Sequence, residues 1–144
     1  MNPVRQLLKV KGGQVWSLSK DSTVLDSLNL MAEYNIGAVL VLEEGRPIGI
    51  FTERDHLRKL GAQGKRPEEV LIEEVMSRDL LTVSPDQSVR ECMALMTEHR
   101  IRHLPVIEDG QLIGLISIGD VVKDMIEELE FLVDQLQRYI TGLR

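Results

Sequence analysis

The chain has 144 residues, 43% of them hydrophobic, which is enough to bury the core of one domain or of two small ones. A net charge of −6 and an aromatic content of 3% argue against nonspecific duplex binding, which needs many Lys and Arg contacts to phosphate, and against single-strand stacking platforms. A single cysteine, Cys92, rules out an internal disulfide and a Cys-x-x-Cys or zinc spacing; with no long apolar run and no signal-like start, the expected location is the cytoplasm, with no membrane or nucleic-acid partner.

In chain order, an N-terminal helix precedes the first of two copies of one unit. The stretch 19–55, SKDSTVLDSLNLMAEYNIGAVLVLEEGRPIGIFTERD, lies without a gap on 84–120, SPDQSVRECMALMTEHRIRHLPVIEDGQLIGLISIGD, at a shift of 65 residues, and 13 of the 37 positions are identical. Thr23 and Asp26 mark a helix start, with a hydroxyl at the cap and a carboxylate three residues on. Val24, Leu28 and Met31 then recur at helical spacing and predict one buried stripe. A strand over 38–42, a turn at Glu44-Gly45 and a second strand ending at Thr52 predict a hairpin. A helical pattern follows in ERDHLRKL.

The segment 60–76 reads as a turn or linker leading to a short helix. Its Gly61-x-x-Gly64-Lys65 is not a phosphate loop: the glycine spacing is too short and no Ser or Thr follows the lysine. The second copy repeats the pattern with Ser88 and Glu91 at a helix start, Val89, Met93 and Met96 on the stripe, a strand over 104–107, a turn at Asp109-Gly110 and a strand ending at Ser117. Cys92 falls beside the stripe and reads as a small core residue. The last helix is longer than its counterpart, and Val122, Met125, Leu129, Leu132, Leu136 and Tyr139 form a seam for the protein's own surface or for another chain. Each unit therefore reads β-α-β-β-α. The expected fold class is α/β (α+β), two tandem repeats related by a pseudo-two-fold axis: repeat one over 1–65, repeat two over 66–124 and a helical extension over 125–144.

Both units end in Gly-x-x-[Thr/Ser]-x-x-Asp: Gly49, Thr52, Asp55 and Gly114, Ser117, Asp120. Two readings are open. The hydroxyl and the acid can be a capping box that satisfies helix-start amides. They can equally hold a nucleotide, with free amides and a hydroxyl facing phosphate and the acid accepting from ribose hydroxyls. Asp in place of the longer Glu or Gln, and glycines inside strands, are the features that point to a ligand. The basic stretch HRIRH (99–103) is either a solvated helix end or a phosphate contact. His99 and His103 are not expected to form a metal pair, because Leu104-Pro105 places the helix end before His103. No nucleophile elbow, paired cysteine or metal-binding cluster supports catalysis.

Taken in order, the doubled motif, RHLPVIEDGQLIG (102–114) and IEEVMSRDLLTVSPDQSV (72–89) resemble a tandem pair of cystathionine-β-synthase (CBS) domains, a Bateman module of the stand-alone bacterial type, over almost the whole chain. The resemblance implies a non-enzymatic, energy-sensing regulatory module. Its ligand would be AMP, ADP, ATP or NAD(H), bound between the repeats and acting through a conformational or dimer-interface change. It also implies a homodimer of CBS pairs and a regulated partner protein. By position, Asp55 and Asp120 would hold ribose, Thr52 and Ser117 would face phosphate, and Gly49 and Gly114 would let the ligand lie close. Arg102 and His103, just before Pro105, would reach phosphate; the first copy has Gly37 and Ala38 there, leaving Arg54 and His56 to compensate. The alternative is a ligand-independent scaffold that dimerises and presents its C-terminal helix to a partner.

Overall fold

Each half of the chain folds its two alternating runs into a hairpin whose turn chemistry recurs at the predicted shift. The computed structural model describes residues 2–142; residues 1, 143 and 144, at the ends of the expected first unit and of the expected extension, lie outside it. After α1 (Val4–Lys11), the first repeat runs β1 (Ser17–Ser19), α2 (Val24–Tyr34), β2 (Ala38–Glu43), β3 (Arg46–Thr52) and α3 (Glu53–Asp55). Its sheet has the order β1-β2-β3, with β1 parallel and β3 antiparallel to β2. The second repeat runs α4 (Ile72–Val75), α5 (Val89–His99), β4 (His103–Glu108), β5 (Gln111–Ser117) and α6 (Ile118–Gly142), with β4 and β5 antiparallel.

The two-residue turns are left-handed at both positions, Glu44-Gly45 and Asp109-Gly110, which matches the twist of the flanking strands. Asn35 and Arg100 end α2 and α5 in the left-handed conformation, again one repeat apart. Register shifts follow Val41 and Val106, the same place in both hairpins.

Two elements differ from the pattern. In the second repeat the first strand shrinks to one parallel bridge, Val83 with Val106, because the Ser84 amide is taken locally by Gln87 Oε1 at 2.8 Å and Pro85 follows. In the first repeat the helix expected in ERDHLRKL is a single α turn that widens into a π turn over His56–Leu60. The wider turn brings Leu60 into full burial while Lys59 reaches the Val75 carbonyl at 2.6 Å.

The core is divided in two, and each part is completed from the other half of the sequence. Val24, Met31, Val39, Val41, Phe51 and Leu60 of the first repeat pack with Ile72, Val75 and Met76, which lead into the second. Conversely, Val4, Leu7 and Leu8 of α1 pack with Val83, Val89, Cys92, Met96, Leu104, Val106 and Ile116. The backbone follows the same exchange: Val24 N donates to Val70 O at 2.9 Å and Val89 N to Asn2 O at 2.9 Å. Arg5 ties α1 further to the second repeat by ion pairs with Glu108 and Asp86.

This exchange explains both strand glycines. A Cβ on Gly49 would lie 2.3 Å from Met76 Sδ, and one on Gly114 2.7 Å from Leu8 Cδ2. The space beside each glycine is thus filled by a side chain of the opposite lead-in segment. Cys92 is fully buried and its thiol is pushed up to about 11 by that burial, as a core residue's should be.

Residue 125 falls inside one unbroken α6. Only the start of this helix packs, through Ile118, Val121 and Met125. Beyond it Ile126, Leu129, Leu132, Val133, Leu136, Tyr139 and Ile140 are 47% to 66% exposed.

Candidate functional site

The motif residues come together at the strand–helix junctions β3–α3 and β5–α6. In the second repeat, Asp120 Oδ2 accepts from the Ser117 amide at 2.8 Å, and the Ser117 hydroxyl accepts from the Asp120 amide at 3.1 Å. In the first, Asp55 Oδ2 accepts from the Thr52 amide at 3.0 Å and hydroxyl at 3.1 Å, and Thr52 Oγ1 accepts from the Asp55 amide at 3.2 Å. Aspartate therefore closes a capping box in both copies, and its shorter reach is no obstacle. The inference that Asp in place of Glu disfavours a cap is corrected here. The strand end brings its own amide close enough for the shorter acid.

Of the helix-start amides expected to face phosphate, three at each junction are already bonded. Glu53 N donates to Gly37 O at 3.1 Å and Ile118 N to Arg102 O at 2.8 Å, in addition to the amides held by the caps.

At the second junction the lysine on the acid comes from outside the repeat. Lys11 Nζ, from the end of α1, lies 2.5 Å from Asp120 Oδ2 and donates to Leu115 O at 2.5 Å. Burial by itself would raise the Asp120 carboxyl, but the Lys11 hydrogen bond and the Ser117 amide outweigh it and hold the group below the usual carboxylate range. Arg102 is exposed, and His103 is half-buried opposite Ser117 in the β4–β5 register. Burial, then repulsion from Lys11 and Arg102, pushes His103 down despite the nearby Asp120. The shift disfavours the charged imidazole, so Lys11 and Arg102 are the stronger cations here. His99 ends α5 while His103 opens β4, with left-handed Arg100 between them, so the two histidines sit on different elements.

At the first junction Lys59 pairs with Asp55 Oδ1 at 3.4 Å, and Gly37 and Ala38 occupy the places of Arg102 and His103. Arg54 is exposed and His56 is half-buried in the π turn. Pro105 is buried in β4, where its carbonyl accepts from Val83 N at 3.0 Å. Two grooves of about 540 and 310 Å³ run along α6; neither is lined by Thr52, Asp55, Ser117 or Asp120. Lys11 is the site residue that the repeat does not reveal. Its counterpart at the shift of 65 is Met76, and only the crossing of α1 onto the second repeat brings it to Asp120.

The lowered His103 gives a signed pH dependence. Above its ordinary value of 6.5 both folded and unfolded chains carry a neutral imidazole. As pH falls below that value the unfolded chain takes up a proton that the fold resists, so stability declines down to the lowered folded value. Guanidinium midpoints should therefore fall between pH 7.5 and 5.5 in the natural sequence and fall less in His103→Gln.

Comparison with known proteins agrees with the doubled architecture. The CBS domain family profile matches residues 11–61 and 72–127. The chain is 40% identical over 136 residues to the CBS domain-containing protein CBSX3, mitochondrial, of Arabidopsis thaliana, a match covering 91% of this chain and 66% of the relative. It spans 55% of a Methanopyrus kandleri protein at 39% identity, so it covers less than two thirds of these curated relatives. Among solved structures, a protein with CBS domains from Burkholderia ambifaria MC40-6 is 47% identical with a TM-score of 0.84, covering 88% of this chain and 95% of that one. The CBS domain pair of protein MJ0100, solved in complex with 5′-methylthioadenosine and S-adenosyl-L-methionine, has a TM-score of 0.78 at 22% identity, covering 89% and 98%, and shares the fold.

Proposed function

The chain belongs to the CBS domain family and carries the domain twice, and from that premise we propose that it is a non-enzymatic regulatory module that binds an adenosine nucleotide, AMP, ADP, ATP or NAD(H). The observation that carries the reading is the group at the second junction. An acid able to accept from a sugar, beside Lys11 and Arg102 able to balance an anion, suits a ligand with a ribose and a phosphate. Asp120 and Ser117, with Arg102, form the stronger site; Asp55 and Thr52, with Arg54 and His56, form a poorer one. His103 contributes a neutral hydrogen-bonding edge until an anion raises its proton affinity. Pro105 and the two glycines shape the strands behind the site, the space beside each glycine being filled by Met76 or Leu8.

Binding acts by a difference in affinity between arrangements of the two repeats. Because each core contains the other's lead-in segment, a shift at one junction is passed to the other repeat. The working assembly is a homodimer of pairs regulating a partner protein in the cytoplasm.

The exposed apolar side of α6 favours a second reading, a scaffold that assembles without ligand and presents this helix to a partner. Native mass spectrometry of gently purified protein separates the two. The sensor reading expects a dimer carrying an adenosine compound, removable by dialysis and restored by AMP or ATP. A dimer that retains nothing and takes up none of AMP, ATP or NAD(H) at millimolar concentration establishes the scaffold instead.

A further inference from the structure

Each motif acid is held by a lysine that the repeat does not encode. Lys11 Nζ bridges Asp120 Oδ2 and the Leu115 carbonyl, both at 2.5 Å. Lys59 Nζ bridges Asp55 Oδ1, at 3.4 Å, and the Val75 carbonyl, at 2.6 Å. At the shift of 65 Lys11 corresponds to Met76 and Lys59 to Asp124, so the two arrangements arose from different positions and converge on one geometry. Lys11 crosses from α1 to an acid and a carbonyl that both belong to the second repeat, whereas Lys59 joins the acid of its own repeat to a carbonyl of the opposite lead-in segment.

Of the two cations at the second junction, Lys11 and the exposed Arg102, Lys11 is the one in contact with the acid. The amides of Ser117, Ile118 and Asp120 are already bonded, and the half-buried His103, whose burial disfavours its charged form, faces Ser117 from β4. The Lys11 side chain is about one third exposed (34%) and sits at the end of α1, where it can turn without disturbing Leu7 and Leu8. A ribose that takes Asp120 displaces the ammonium from its oxygen and leaves a cation a few ångströms from the ligand's phosphate side.

Resting on the nucleotide reading above, we propose that Lys11 is the residue by which the second-repeat site selects phosphorylated over unphosphorylated adenosine ligands, held on Asp120 until the ligand arrives. In the empty site it competes with the ribose for the acid. In the filled site it pairs with the phosphate. Its removal therefore acts in opposite directions on the two ligand classes.

The test is calorimetry on the full chain with adenosine and with AMP, for the natural sequence, Lys11→Met and Lys11→Arg. The expected result is that Lys11→Met lowers AMP affinity at least tenfold and leaves adenosine binding equal or tighter, while Lys11→Arg restores the preference for AMP. An unchanged ratio of AMP to adenosine affinity in Lys11→Met, with the far-ultraviolet spectrum intact, overturns the assignment. If the natural sequence binds neither compound, the nucleotide reading itself has failed and Lys11 is only a structural tie; that outcome is distinct from an unchanged ratio.

Discussion

Asp120→Asn is expected to weaken AMP binding at the second-repeat site by more than about tenfold at a modest cost in stability, because the partly exposed Lys11 ion pair is lost while the cap is kept. Hydrogen bonds to a charged group contribute about 1.5–3 kcal/mol each, and a ribose would draw on the carboxylate through two hydroxyls. Asparagine keeps an oxygen that can accept from the Ser117 amide, now bonded at 2.8 Å, so the cap survives. Asp120→Ala removes the cap as well and should cost about 0.5–2 kcal/mol of stability in addition. Comparing the two by calorimetry and denaturant unfolding separates the acid's two roles. AMP binding by Asp120→Asn at the strength of the natural sequence would leave the cap as the acid's whole purpose.

The second large effect is on stability and tests the exchanged cores. Ile72→Ala is expected to destabilise the entire chain by about 2–5 kcal/mol, the usual range for emptying a fully buried aliphatic site. Ile72 is 0% exposed and packs with Val24, Val41, Phe51 and Leu60 of the first repeat, although it opens the second repeat in sequence. Leu7→Ala should do the reverse, emptying part of the second core from a helix that precedes the first. The single tryptophan, Trp16, packs against the first core and stacks on Tyr34, so its fluorescence reports that half alone. With the cores interlocked, Leu7→Ala should shift the Trp16 transition as far as it shifts the far-ultraviolet signal. Separate transitions for the two signals would show that the halves fold independently and that the exchange contributes little.

Local features were readable in the residues because their causes lie within a few positions. The hairpin turns follow from Glu44-Gly45 and Asp109-Gly110, where positive φ is needed, and the structure has it at all four residues. The ends of the expected stripes, Val24 and Met31, Val89 and Met96, are buried because a period of 3.6 puts them on one face, but the fully buried positions between them are Ser27 and Cys92, with Leu28 and Met93 only partly buried. The Thr23 and Ser88 caps form where a hydroxyl stands before an apolar run. The π turn after Asp55 was not readable, because it answers to the burial of Leu60 and the reach of Lys59.

By itself, then, the amino-acid order determined a doubled unit, its helix starts, its hairpins and turns, and the strand–helix junctions that carry Thr52, Asp55, Ser117 and Asp120, but not the loss of the second repeat's first strand or the π turn of the first. Tertiary structure alone decided which core each lead-in segment joins, why Gly49 and Gly114 carry no side chain, and which lysine reaches which acid. The physical reason is that VRQLL and VLIEEVM offer similar apolar faces. Nothing within either segment distinguishes its own repeat from the other; only the packed space beside the glycines, filled by Met76 and Leu8, makes that choice.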